Sequence, residues 1–319
     1  MAARTLAVLA IAAAAQTQPA PFPWDGAAAR GVLIYAVGPK YLSTAKQLVD
    51  SIRANDHTLP ILVAYASGDI HTSGDLHTRL VRVPNPANEG RTERDRAGAS
   101  HRAMDGLRRG SFDALGRSPF RTTLYVDADA LACRSLESIF ATVEANRSQW
   151  AFCEKNNHFH KKRDGSLYHA PRDEKHAIAL FKDFDLEMPE LTSPFANAGF
   201  LVCRPFDAEV QALLRTWRRV YDYGYAKKVS VDQPALWVAQ RNTPGLRIQV
   251  LDVTASCRVH DSFSQCGRFS ARPTNFVTEH TRRARDCVLI HGHKLSASPR
   301  RGTSEVSYAL AVASSSSEK

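Results

Sequence analysis

Asp127 and Asp129 stand two positions apart at the end of the run Thr122-Thr123-Leu124-Tyr125-Val126. A strand-forming segment therefore leads directly into two carboxylates. In a strand, residues i and i+2 share a face. Both acids are thus expected to open into one crevice at the strand's carboxyl end. Two hard oxygen ligands suit Mn²⁺ or Mg²⁺ better than a thiophilic metal. An ion held there can bridge a diphosphate and neutralise charge on a leaving group. The plainer reading is a turn with two solvated acids, and the apolar strand ahead of them weighs against it.

Three later segments carry residues able to join that chemistry. Phe195-Ala196-Asn197-Ala198-Gly199-Phe200 places an amide beside a glycine at the start of an apolar run. Val231-Asp232-Gln233-Pro234 reads structurally as a helix N-cap with proline in the first turn. Ile290-His291-Gly292-His293-Lys294 follows an apolar strand with two histidines and a lysine. Strand alternation puts His291 and His293 on one face, and His291, directly after the strand, is favoured as the ligand. A basic cluster (Arg91, Arg94, Arg96, His101, Arg102, Arg108, Arg109) precedes the acids on an expected helix. It reads equally as a solvated face.

The elements that must position these residues alternate between strand and helix. Gly31 to Val37 is an apolar run ending at Gly38-Pro39, so it reads as a strand and turn. Leu42, Ala45, Leu48, Val49 and Ile52 share one helical face. Pro60 to Tyr65 and Leu80 to Val83 read as further strands, as do Thr122 to Val126, Trp150 to Cys153, Phe200 to Cys203, Leu246 to Leu251 and Val288 to Ile290. Leu136, Ile139, Phe140 and Val143 mark a helix, and Val210, Leu213, Leu214 and Trp217 mark another. Residues 155 to 195 are polar and turn-rich and read as a loop region. This pattern predicts an α/β fold with a mostly parallel central sheet flanked by helices in a single domain. Such sheets bind ligands outside the carboxyl ends of their strands. Ala36, Val37, Gly38 and Tyr41 are therefore candidate nucleotide contacts, with Tyr41 placed to stack on a base. The G-x-G-x-x-G pattern of dinucleotide folds is missing.

Taken together, the segment Thr123 to Asp129 resembles the D-x-D strand of GT-A (Rossmann-like) glycosyltransferases, especially the nucleotide-diphospho-sugar transferases that include glycogenin-like enzymes. The Asn197-Ala198-Gly199, Asp232-Gln233 and His291…Lys294 segments match in the family's order, and the resemblance covers roughly Gly31 to Lys294. It implies a metal-dependent transfer of sugar from a nucleotide sugar, a UDP-sugar foremost, to a glycan, protein or lipid acceptor. It implies Asp127, Asp129 and a late histidine, His291 or His293, as metal ligands. Arg102, Ala128 and Lys294 would meet the donor with Asp127, while Asn197, Asp232 and Gln233 would lie beside the sugar and acceptor. The late segment is shorter than the glycogenin-like form. The family leans toward retention of anomeric configuration.

Composition bounds the setting. The 319 residues suffice for a sizeable core, and the net charge of +10 is spread along the chain. No zinc-finger spacing or RNA-binding signature accompanies it, so no nucleic-acid partner is expected. Arg4, the apolar stretch Leu6 to Ala15 and the small residues before Gln16 read as a cleaved signal peptide over residues 1–15. Residues 16–29 then read as a linker, 30–296 as the catalytic domain and 297–319 as a disordered tail. A secreted or Golgi-lumenal location follows, with no lasting membrane span. It agrees with the Asn146-Arg147-Ser148 glycosylation sequon and makes disulfides possible among six cysteines. Cys153 and Cys203 are expected as buried thiols and Cys257–Cys266 as a local pair. Three alternatives compete: a nucleotidyltransferase, which lacks its glycine- and lysine-rich loop here; a secreted binding domain without turnover; and a zinc site on Cys257, His260, Cys266 and Cys287, whose spacing is irregular.

Overall fold

The computed structural model describes residues 20–24, 28–37, 39–66, 76–83, 109–154, 160–161, 167–168, 171–187, 196–227, 232–258, 263–265, 268–269 and 287–291. β1 (Arg30–Ala36) is buried from its second residue onward. An unbroken apolar run of this kind belongs inside a parallel sheet covered on both faces. α1 (Pro39–Asn55) follows directly, and the five apolar residues expected on one face are all buried. β2 (Ile61–Tyr65) and β3 (Thr78–Arg82) continue the alternation. β4 (Thr122–Asp127), β5 (Ala130–Ala132), α2 (Glu137–Ala145) and β6 (Trp150–Glu154) come next. A small ribbon, β7 (His160–Lys161) with β8 (Leu167–Tyr168), precedes α3 (Pro171–Asp183). β9 (Ala196–Cys203), α4 (Ala208–Ala226), α5 (Asp232–Arg241) and β10 (Ile248–Leu251) complete the main layers. β11 (Cys257–Arg258), β12 (Phe263–Gln265), β13 (Arg268–Phe269) and β14 (Leu289–His291) follow.

Among the described residues the central sheet has seven strands in the order β10-β6-β9-β4-β1-β2-β3, of which only β9 runs antiparallel to its neighbours, β4 and β6. Alternate residues of each strand feed two separate cores. Leu33, Tyr35 and Tyr125 join Leu213, Trp217 and Leu236 of α4 and α5 on one face. Val32, Ile34, Leu124 and Val126 join Leu48 of α1 and Phe140 of α2 on the other. Helices thus cover both faces, as the sequence pattern predicts.

Two local differences have physical causes. Residues 155 to 195 are not loop throughout, because α3 lies within them. Ala177, Leu180 and Phe181 are buried; their i, i+3, i+4 spacing gives a helix one apolar edge, and α3 packs beside α5. Within the segment read as a linker, Phe22 is buried and Trp24 packs edge-on to Phe120 at 4.9 Å between ring centroids. Arg117 lies 4.4 Å from the Phe22 ring centroid, and the Phe22 amide donates to the Arg117 carbonyl at 2.8 Å.

Cys153 and Cys203 are free and buried, as expected. Cys133 and Cys287 are disulfide-bonded. Cys266, and with it the expected Cys257–Cys266 pair, lies outside the described residues, as do the signal segment and the tail. Among the described residues no helix is long and apolar enough to cross a membrane.

Candidate active site

A second, smaller sheet builds the site. β5 pairs antiparallel with β14, which puts His291 opposite Ala130 and so next to Asp129. β11 continues this sheet on the far side of β14. β4 ends at Asp127, and Ala128 and Asp129 form a turn before β5 starts. The two acids therefore do not share one continuous strand face. The turn and the β5–β14 pairing bring them together instead. β5 is anchored from behind, since the Ala132 amide donates to Ser51 Oγ of α1 at 2.9 Å.

His291 Nε2 lies 3.2 Å from Asp129 Oδ1 and 3.4 Å from Asp127 Oδ2. One ligand atom from each of the three side chains lies within 4.8 Å of the others. Asp129 and His291 are each 5% exposed, whereas the Asp127 side chain is 41% exposed toward solvent. Burial alone lowers the His291 pKa, but its hydrogen bonds to Asp127 and Asp129 and their charges outweigh this and raise it to about 9.

The neighbours of this triad hold it closely. β9 runs antiparallel alongside β4 with Val126 opposite Phe200, which brings Gly199 under Asp127. A Cβ at Gly199 would sit 2.3 Å from Asp127 Oδ2 and 2.5 Å from His291 Cε1, so only glycine leaves room. Asn197 is buried behind the imidazole. Its Oδ1 accepts the Gly199 N–H at 3.1 Å, and its Nδ2 lies 3.5 Å from His291 Nδ1. Tyr125 donates its hydroxyl hydrogen to Asp127 Oδ1 at 3.0 Å. Burial first, and then the Asp127 charge, keep that phenol well above its ordinary pKa of 10.

α5 brings the next pair. Asp232 and Gln233 open this helix, and Asp232 Oδ1 accepts the Gln233 N–H at 3.1 Å. Two tryptophans fix the helix against the site. Trp217 of α4 donates Nε1–H to the Asp232 carbonyl at 2.9 Å, and Trp237 of α5 donates to the Ala196 carbonyl at 3.0 Å. The charge on Asp232 contributes, after burial and Asp127, to raising the Tyr125 pKa. Gln233 Oε1 is buried with no hydrogen-bond partner among the described residues.

β1 and β4 pair in register with Tyr35 opposite Asp127. Ala36 and Val37 therefore emerge beside the acids, and Tyr41 is half-buried in the first turns of α1. Ala128 is buried in the turn itself. Gly38, Arg102, His293 and Lys294 lie outside the described residues. Sequence reasoning assigned no part to Tyr125 or to the helical segment 109–116, where Ser111 stands beside Tyr125. The signal for Tyr125 was present, since it stands two residues before Asp127 on the same strand face.

No protein-family model and no curated protein matches the sequence. Solved structures do match. The galactosyltransferase LgtC in complex with donor and acceptor sugar analogues is 14% identical, with a TM-score of 0.53 over 91% of this chain and 97% of that one. An active-site mutant of LgtC, glutamine replaced by glutamate, is 13% identical with a TM-score of 0.52 over 91% and 97% of the two chains. The bifunctional glycosyltransferase WbbM is 13% identical with a TM-score of 0.52 over 86% of this chain. This chain spans about half the length of WbbM, covering 47% of it. The fold is thus that of the GT-A nucleotide-sugar glycosyltransferases.

Proposed function

We propose that this chain is a metal-dependent glycosyltransferase that moves a sugar from a nucleoside-diphosphate sugar, a UDP-sugar foremost, to a glycan, protein or lipid acceptor. The observation that carries the reading is the convergence of Asp127, Asp129 and His291 at the carboxyl ends of β4 and β14, beside the end of β1. Two carboxylate oxygens and one imidazole nitrogen suit Mn²⁺ or Mg²⁺, and the missing Cβ at Gly199 keeps the space among them open. When bound, such an ion supplies charge neutralisation to a departing diphosphate.

The chain's own residues do the rest. Ala36, Val37 and Tyr41 line the approach for the nucleotide at the sheet's switch point, with Gly38 a further expected contact. Arg102 and Lys294 add positive charge for the diphosphate, and the Ala128 backbone sits between the two acids. Asp232 and Gln233 face the sugar from the start of α5, where Gln233 Oε1 has an acceptor to offer a sugar hydroxyl. LgtC has an active-site glutamine, which supports that role for Gln233. Asn197 packs behind the His291 ring, with Nδ2 3.5 Å from Nδ1. By its resemblance to glycogenin-like enzymes the reaction retains anomeric configuration. The signal-like start of the chain and the disulfide-bonded Cys133 and Cys287 support a secretory-pathway location.

The test is a thermal-shift panel of UDP, GDP, CDP and ADP with and without Mn²⁺, on wild type and Asp129→Asn. A metal-dependent rise for one nucleotide, absent in the variant, is expected and identifies the donor base. No rise for any nucleotide with folded protein would replace this reading with that of a binding domain lacking turnover.

A further inference from the structure

Resting on the metal-site reading above, we propose that Tyr125 is a positioning residue that holds Asp127 as a one-oxygen ligand and so makes the site select a small six-coordinate cation over Ca²⁺. Asp127 has two carboxylate oxygens with different surroundings. Oδ1 accepts the Tyr125 hydroxyl at 3.0 Å, whereas Oδ2 faces His291 Nε2 at 3.4 Å. The phenol is itself fixed. Tyr125 is 5% exposed, sits in β4 between β1 and β9, and has Ser111 of the helical segment 109–116 beside it. That segment cannot shift toward the sheet, because Gly110 already abuts the Tyr35 hydroxyl with no room for a Cβ.

A carboxylate with one oxygen turned to a phenol is held with its other oxygen foremost, which favours a one-oxygen contact with a metal. Ca²⁺ takes six to eight oxygens and often uses both oxygens of a carboxylate, whereas Mg²⁺ demands near-octahedral, one-oxygen contacts. Gly199 contributes from the opposite side, since its missing Cβ lets Asp127 Oδ2 and His291 stand side by side. Tyr125 therefore does for Asp127 what outer-shell partners do for metal ligands generally: it orients a ligand and tunes affinity, typically by about 10- to 100-fold.

The experiment is calorimetric titration of metal-free protein with Mn²⁺ and separately with Ca²⁺, for wild type, Tyr125→Phe and Ser111→Ala. Wild type is expected to prefer Mn²⁺. Tyr125→Phe should lose about tenfold in Mn²⁺ affinity while Ca²⁺ affinity holds or rises, so the Mn²⁺/Ca²⁺ ratio falls. Ser111→Ala should move the ratio the same way by less, and it serves as the readout if Tyr125→Phe fails to fold. A general loosening of the fold would instead weaken both ions together. Equal weakening of both ions, or an unchanged ratio in both variants, overturns the role of Tyr125 while leaving the metal site standing. Absence of Mn²⁺ binding in wild type overturns the metal site and this inference with it.

Discussion

A methyl group at Gly199 would lie closer to Asp127 Oδ2 and His291 Cε1 than any real contact allows. The neighbouring backbone is held, because the Gly199 N–H is bound to Asn197 Oδ1 and the next residue, Phe200, pairs with Val126 of β4. The strain must therefore fall on the two side chains that would bind metal. Gly199→Ala is expected to cost about 1–3 kcal/mol of stability as overpacking. It should also abolish the Mn²⁺-dependent rise in melting temperature. Melting curves with and without Mn²⁺ check both parts, and an intact metal response in a destabilised Gly199→Ala protein would count against the site as described. The same scale explains Asn197. Expected beside the sugar and acceptor, it is 4% exposed, accepts the Gly199 N–H and stands against the His291 ring. From that place it acts on the imidazole first.

At the scale of elements, the site depends on β14, a strand of three residues that carries His291. Backbone pairing to β5 and β11 holds it; Cys133, directly after β5, and Cys287, two residues before β14, are each disulfide-bonded. The Cys133 amide also donates to the Val288 carbonyl at 2.8 Å. Cys287→Ser should therefore lower stability by about 2–5 kcal/mol and weaken Mn²⁺ binding disproportionately. Ile139→Val, in the α2 core, is the control. It should cost about 0.5–1.5 kcal/mol and leave Mn²⁺ affinity unchanged. Calorimetric titration at a temperature where both variants are folded decides, and equal Mn²⁺ affinity in the two would show that the cysteine does not secure His291. This dependence also shows what sequence could reveal. Asp127 was legible because an apolar strand runs straight into it. The convergence with His291 was not, because it arises from a turn at Ala128-Asp129 and a pairing between distant segments. α3 was hidden for a different reason. Its first turns carry Arg172, Asp173, Glu174 and Lys175, and that charge masks the short apolar edge of Ala177, Leu180 and Phe181.

At the scale of the whole molecule, the sheet order sets where charge collects. From β1 the chain builds outward through β2 and β3 on one side, while β4, β9, β6 and β10 lie on the other. The carboxyl ends of β1 and β4 diverge between these halves, and the triad sits there. Without metal, the fold satisfies two neighbouring carboxylates by keeping His291 protonated, with its pKa raised to about 9. The unfolded imidazole has a pKa of about 6.5. A raised folded value means that this stabilisation is complete below about pH 6.5, and it is lost as pH rises through about 9. Metal takes the nitrogen lone pair that the proton holds, so binding must release that proton. Mn²⁺ affinity should then strengthen by about tenfold per pH unit from 6.5 to 8.5, while the metal-free protein loses stability over the same range. Melting temperatures with and without Mn²⁺ at pH 6.5, 7.5 and 8.5 check this. The gap between the two curves should widen with pH in wild type and stay flat in His291→Asn. A gap that is constant in wild type would mean that His291 gives up no proton to the metal, and would remove it from the ligand set.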